Sequence, residues 1–194
     1  MKEKARHDFK NIISGKIHVN DAEWELLDTF FDVIETQSGQ VIQMPGKQAG
    51  YYFFVLEGAL RMYAQNDEKE VTHNVYNHRR FVADVISIRY KQPSSFFIEA
   101  LVPGLIICFD ANRLDKLLTI SPTFEKIALM MYEQSLFEEM LRVNEILTLS
   151  PFNQYLHFVN IHKNIVPQLS QTKIAACLNV TPETISRFRK RMSL

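Results

Sequence analysis

At 194 residues, 46% hydrophobic and 23% charged, the chain has room for one or two globular domains and no apolar run long enough to span a bilayer. Its two cysteines, Cys108 and Cys177, are too few for the four thiolates of a typical iron–sulfur cluster and read as buried thiols of a reducing compartment. The formal net charge of zero hides an asymmetry: residues 151–194 hold Lys163, Lys173, Arg187, Arg189, Lys190 and Arg191 against Glu183 alone, a net of +5 balanced by −5 over residues 1–150.

A basic C-terminal piece on an acidic body suits a nucleic-acid-binding module. The charged start, MKEKARHDFKN, lacks the apolar segment of a signal peptide, so a cytoplasmic location is expected.

In chain order, residues 5–31 read as helical, with a cap at Asn20-Asp21 and Trp24, Leu27, Phe30 and Phe31 at helical spacing. A β-rich region follows. Residues 31–35 are short and extended, and residues 40–44 alternate polar and apolar. The aromatic run 51–56 predicts a strand, turned at Glu57-Gly58 into a hairpin partner at 59–64. Residues 65–69 read as a polar loop, 71–76 as a strand, and 81–88 fit helix or strand. Residues 96–101 and 105–109 predict two strands joined at Pro103-Gly104. Many short strands argue a sandwich or barrel.

Helices then take over. One starts at Asp110 or Ala111 and runs to Leu118. Ser121-Pro122 caps a much longer one reaching about Leu149. Along it Leu129, Leu136 and Val143 recur every seven residues, with Met140 and Leu147 beside them, while Phe124, Ile127, Ala128 and Met131 form a second face. A helix with two apolar faces has two things to cover: its own β-domain and the same helix of a second subunit, or one enclosing core. Ser150-Pro151 caps a further helix, and residues 161–169 connect to the C-terminus.

Residues 170–194 read as two short helices with a sharp turn. Ser170 caps the first, Ile174, Ala175 and Leu178 form its apolar face, and Asn179 tolerates the left-handed turn. Thr181 caps the second, with Pro182 at its first position and Ile185, Phe188 and Met192 facing inward. Glu183, Ser186, Arg187 and Lys190 lie on the other face, flanked by Arg189 and Arg191. This is the pattern of a helix-turn-helix, whose second helix offers polar and cationic groups to a major groove. The alternative is an αα-hairpin with a solvated cationic face.

A β-roll, a long helix and a helix-turn-helix, in that order, resemble the Crp/Fnr superfamily of bacterial transcription regulators over nearly the whole chain. The segments Gly39-Gln-Val-Ile and Tyr52-Phe-Phe-Val-Leu-Glu-Gly58-Ala-Leu-Arg61-Met-Tyr are similar to that family's cyclic-nucleotide-binding-type domain, with Gly58 at a tight hairpin turn. Thr181-Pro-Glu183-Thr184-Ile-Ser-Arg187 is similar to its recognition helix, in which the Glu and Arg read base edges. The chain looks most like short, wingless members from Bacteroidetes-type bacteria. The resemblance implies an α+β chain: a double-stranded β-helix (jelly-roll) sensor domain at 1–120, a dimerisation helix at 121–149 and an all-α helix-turn-helix domain at 150–194. Dimerisation would use Leu129, Leu136, Met140, Val143 and Leu147. DNA contacts would come from Thr181, Pro182, Glu183, Ser186, Arg187, Arg189, Lys190 and Arg191. Implied partners are double-stranded DNA, a second copy of the chain, RNA polymerase and a small-molecule effector, with no membrane.

The effector region departs from the family pattern. Cyclic-nucleotide binders there carry Gly-Glu, a short helix, then Arg followed by Ser or Thr. Here Ala83-Asp84 stands for the first pair and Ser94-Ser95 for the second. A cyclic phosphate buried beside Asp84, Ser94 and Ser95 would lack its counter-charge. No cyclic nucleotide and no other cofactor is therefore expected. His73, His78 and Cys108 are the available axial ligands for haem, but isolated His residues in strands read as surface or core groups. No nucleophile motif, metal-ligand spacing or phosphate loop is present, so the chain does not read as an enzyme. Asp84 and Glu99 read as surface carboxylates. The second functional class consistent with the sequence is a ligand-binding or protein-interaction module whose helix-turn-helix no longer reads DNA.

Overall fold

Two long strands, β3 (Tyr51–Asn66) and β6 (Phe96–Asp110), pair antiparallel along their length and organise the N-terminal part of the fold. The computed structural model describes residues 1–66 and 69–192. Between Val55 and Leu60 the register of β3 on β6 shifts three times, and there both strands fold over. Beyond the bend, the first half of β3 and the second half of β6 are flanked by β5 (Arg80–Val82) and β1 (Phe31–Thr36). The other halves are flanked by β4 (Lys69–Tyr76) and β2 (Val41–Gln43).

The two halves face each other across one core. Phe53 and Val55 from one half of β3 pack in the same cluster as Leu60 and Met62 from the other, with Ile98, Ile106 and Val82. This is the jelly-roll arrangement expected from the sequence. The alternate residues Tyr52, Phe54 and Leu56 also lie buried, on the outer face, against helices. Burial on both faces explains why residues 52–56 are apolar throughout instead of alternating.

The bend corrects the predicted hairpin. Residues 59–64 do not return against 51–56; they continue the same strand, and both halves pair with β6. Likewise residues 96–101 and 105–109 are one strand, not two. Glu57-Gly58 and Pro103-Gly104 are paired corners. Gly58 has φ +86°, and a Cβ there would lie 2.8 Å from the Pro103 carbonyl oxygen. A Cβ on Gly104 would overlap the Glu57 carbonyl oxygen. Two backbones pass too closely for any side chain. The predicted loop at 65–69 is also shorter than expected: Gln65 pairs with Glu70 and Asn66 with Lys69, and residues 67–68 lie outside the described residues.

The N-terminal helical stretch is two helices, α1 (Lys2–Ser14) and α2 (Asp21–Asp28), separated at residues 15–20, and Phe31 already belongs to β1. A capping box starts α2: the Asn20 side chain accepts from Glu23 N at 2.9 Å, and the Glu23 carboxylate accepts from Asn20 N at 3.1 Å. Phe9 of α1 is the hub of the outer core, with ring centroids 5.3 Å from Phe31 and 5.2 Å from Phe54. The ambiguous stretch 81–88 divides into the end of β5 and the start of α3 (Val85–Tyr90).

After β6 the chain is helical: α4 (Ala111–Leu118), α5 (Pro122–Thr148), α6 (Pro151–Ile161), a single 3-10 turn at Val166–Gln168, α7 (Gln171–Cys177) and α8 (Pro182–Met192). Asp110, Ser121, Ser150 and Ser170 cap α4, α5, α6 and α7 with side-chain oxygens, as the sequence predicted for the three serines. Among the described residues no helix is long and apolar enough to cross a membrane.

Candidate nucleic-acid interface

The turn into α8 is built from local chemistry. Asn179 adopts φ +56°, and Val180 N donates to Ala175 O at 3.0 Å to close the preceding helix. Thr181 Oγ1 accepts from Thr184 N at 3.3 Å, and Pro182 opens α8. Gln171 of α7 donates to the Pro182 carbonyl at 2.7 Å, tying the start of one helix to the start of the other. Ile174, Ala175 and Ile185 are fully buried where the helices cross. A small side chain at 175 permits this approach.

The outward face of α8 presents Glu183, Ser186, Arg187 and Lys190, all exposed, with Thr181 exposed at its start and Pro182 half-buried. Hydrogen bonds from its own backbone N–H and from Thr181 hold the Glu183 carboxyl below the ordinary range, so it is ionised. Arg187 donates to the Thr184 hydroxyl at 3.0 Å. The two flanking arginines differ from a simple solvated pair: the Arg191 guanidinium lies 4.1 Å above the Phe152 ring of α6. Phe188 joins the same aromatic cluster, while Met192 is exposed instead of packed inward.

Helix α5 does show two apolar faces. Phe124, Ile127, Ala128 and Met131 are buried against the β-roll. Leu129, Leu136, Met140, Val143 and Leu147 lie on the opposite side and are 52–78% exposed. Phe137, Leu141 and Ile146 extend this open strip.

The helix-turn-helix is docked on the β-roll. Its core continues into Ala59, Leu101 and Val102 at the strand corners. Thr72 of β4 donates from its backbone to Asn179 Oδ1 at 2.7 Å, its carbonyl accepts from Asn179 Nδ2 at 2.9 Å, and its hydroxyl donates to Ala176 O at 2.7 Å. A line of charges runs alongside: Glu70 to Arg61 at 2.6 Å, Arg61 to Glu99 at 3.6 Å, and Glu99 to Lys173 of α7 at 2.7 Å. Arg61 is fully buried, and sequence reasoning gave it no role because its partners lie on two other strands, β4 and β6.

The residues expected around an effector are dispersed. Asp84 caps α3, accepting from Ser87 N at 3.0 Å. The Ser94 hydroxyl accepts from Gln43 at 3.1 Å and from Phe96 N at 3.0 Å, and Ser95 is exposed. A cavity of about 130 Å³ between β5, α3 and α5 is lined by Tyr52, Phe81, Ala83, Met131 and Tyr132, without Asp84, Ser94 or Ser95. The Arg89 guanidinium is partnered by Asp115 at 3.0 Å and the Tyr132 hydroxyl at 2.7 Å. Asp84 and Glu99 are buried, correcting their reading as surface carboxylates. Burial pushes the Cys108 thiol up to about 12 and the Cys177 thiol to about 11, so both are inert thiols at neutral pH.

Residues 33–121 match the cyclic nucleotide-binding domain family. No curated protein sequence matches the chain. Among solved structures, the c-di-GMP-responsive global regulator CLP of Xanthomonas campestris superposes with a TM-score of 0.68 at 16% identity, over 87% of this chain and 89% of its own. A transcriptional regulator of the Crp/Fnr family from Eubacterium rectale gives 0.70 at 18%, over 90% and 84%. FixK2 from Bradyrhizobium japonicum gives 0.67 at 16%, over 84% of each. The chain thus has the fold of these solved Crp/Fnr-family regulators, with residues 33–121 matching the cyclic nucleotide-binding domain family.

Proposed function

We propose that the protein is a sequence-specific DNA-binding transcription regulator acting as a homodimer. The observation that carries this reading is the exposed face of α8, where Glu183, Ser186, Arg187 and Lys190 project from a helix fixed by a capped turn. Arg187 is the main base reader, through a two-pronged contact to guanine, and Glu183 accepts from a cytosine amine. Thr181, Ser186 and Lys190 assist at base edges or phosphates, Pro182 makes only apolar contact, and Arg189 and Arg191 add affinity for the backbone. The open strip of α5 supports pairing. Each large apolar side chain left in water forgoes roughly 1.5–3 kcal/mol that a second copy of the helix would recover. Two such subunits would read half-sites about 34 Å apart.

The β-roll serves as a scaffold without a cyclic nucleotide. Asp84 and Ser94 are engaged in backbone hydrogen bonds, and no cationic residue stands at 94 or 95 to meet a phosphate. The test is selection of bound duplexes from a random DNA pool by the purified protein. An enriched, roughly palindromic motif is expected, and Arg187→Ala should relax it. Failure to retain any duplex, even at low salt, would overturn the reading, since an intact DNA reader keeps non-specific affinity.

A further inference from the structure

The inner face of α5 changes character along its length. At three- and four-residue spacing, buried Phe124, Ile127, Ala128 and Met131 are succeeded by Glu138, Arg142 and Glu145. These three do not meet the sheet core. They line a cleft of about 120 Å³ where α5, α6, the end of β4 and α7 come together. Leu129, Leu136, Met140, Val143 and Leu147 lie on the other side of the helix, while Leu141 borders the cleft.

The charges in this cleft are unevenly satisfied. Arg80 pairs with Glu138, and His157 pairs with Glu145 at 2.8 Å. Arg142 forms no ion pair among the described residues, and its buried Nε has no hydrogen-bond partner. His162, at the end of α6, is only 8% exposed, and its Nδ1 is also buried without a partner. Two residues lining one cleft each hold a buried nitrogen without a partner, which is unusual because such atoms normally find one. The electrostatics agree in sign. After burial, the positive charges of Arg142, Arg80 and His157 are what hold the His162 imidazole down at about 4.

We propose that this cleft binds a small oxyanion, a phosphate or carboxylate group, between the Arg142 guanidinium and the His162 ring. The cleft volume of about 120 Å³ is ample for such a group. The anion supplies the charge that Arg142 lacks. It would bridge α5 to α6 at the joint between the sensor body and the helix-turn-helix. Nothing in the site depends on what α8 contacts.

The experiment uses the full chain at pH 7. Thermal unfolding is followed in inorganic phosphate, in acetate and in chloride at equal ionic strength, and the 31P linewidth of phosphate is followed as protein is added. The expected result is a saturable rise in Tm with at least one of the two oxyanions over chloride, lost in Arg142→Gln. A response to phosphate alone, with 31P broadening that Arg142→Gln abolishes, identifies a phosphate site. A response to acetate identifies a carboxylate site. No saturable effect of either anion on the wild-type chain, or an effect that survives in Arg142→Gln, overturns the proposal. Since Arg142 is only partly buried, its replacement by Gln leaves a folded chain to measure, and the wild-type linewidth reads binding without any variant.

Discussion

Asn179 and Thr72, 107 residues apart, exchange two hydrogen bonds, so that the turn of the helix-turn-helix is completed by the edge of the β-roll. The same Asn supplies the left-handed backbone of the turn. One residue thus sets both the angle between α7 and α8 and their attachment to the β-roll.

The two duties separate by substitution. Asn179→Gly keeps the turn and loses the clasp, exposing the amide and carbonyl of Thr72 to a cost of about 1–3 kcal/mol. Asn179→Ala loses both and adds about 1–2 kcal/mol for a left-handed non-glycine residue. Urea unfolding should rank wild type above Gly above Ala. Hydrogen exchange at the Thr72 amide should accelerate in both variants, and an unchanged rate would show that the clasp is not made in solution.

The charge line through Arg61 makes a second prediction. Arg61 is fully buried between Glu70 and Glu99, with its Nε donating to the Thr72 hydroxyl at 2.7 Å and its guanidinium 4.2 Å above the Tyr63 ring. Arg61→Leu leaves Glu99 buried with Lys173 alone and should destabilise by about 3–5 kcal/mol. Arg61→Leu with Glu99→Leu removes both charges together and should cost less than the sum of the single changes. Additive costs in denaturant unfolding would mean that the two side chains act independently.

Stability should also fall with acid for a reason located at His162. Burial, then neighbouring positive charge, depresses its folded-state value to about 4, against ~6.5 in an unfolded chain. The unfolded state therefore takes up this proton first. The stabilisation is complete above ~6.5 and is lost as pH falls towards 4, by roughly 2–3 kcal/mol between pH 7.5 and 4.5. Arg80 from β5, Glu138, Arg142 and Glu145 from α5, and His157 from α6 share this cleft, so the comparison must be with a His162→Gln chain. The wild-type urea midpoint should drop more steeply with acid than that of the variant. Parallel curves would place the titration elsewhere.

The proposed pairing through α5 can be broken without touching the packed face of that helix. Met140 is on the open strip and contributes nothing to the protomer core. Met140→Glu should leave the unfolding of the isolated subunit unchanged while shifting sedimentation equilibrium towards the monomer. A variant that remains dimeric at micromolar concentration would require a different contact face.

On α8, if the proposed function holds, Arg187→Ala should relax sequence preference by about 1–3 kcal/mol at one base position. Arg189→Ala should weaken all duplexes alike and flatten the salt dependence by about one unit of slope. Competition binding against point-substituted duplexes distinguishes the two patterns.

What was legible in the sequence is what local chemistry decides. Ser121, Ser150 and Ser170 announce helix starts because a cap needs only its own three following residues, and Asn179 announces a turn for the same reason. The face of α8 follows from spacing alone. The hairpin at Glu57-Gly58 was misread because the glycine answers to Gly104, 46 positions away, and not to its neighbours. Arg61, the Asn179–Thr72 clasp and the cleft at Arg142 were invisible for a related reason: each brings together residues of elements far apart in the chain, and no periodicity encodes such meetings.

The crossing of Gly58 and Gly104 has a consequence for how this chain can vary over time. The atoms that a new methyl group would strike are main-chain atoms, the Pro103 carbonyl on one side and the Glu57 carbonyl on the other. No replacement of a neighbouring side chain can make room, so neither position has a compensating partner elsewhere in the sequence. Drift elsewhere in the fold can proceed one tolerated step at a time. At this crossing it cannot, and descendants that keep the jelly roll should keep both glycines even where little else of the sequence survives.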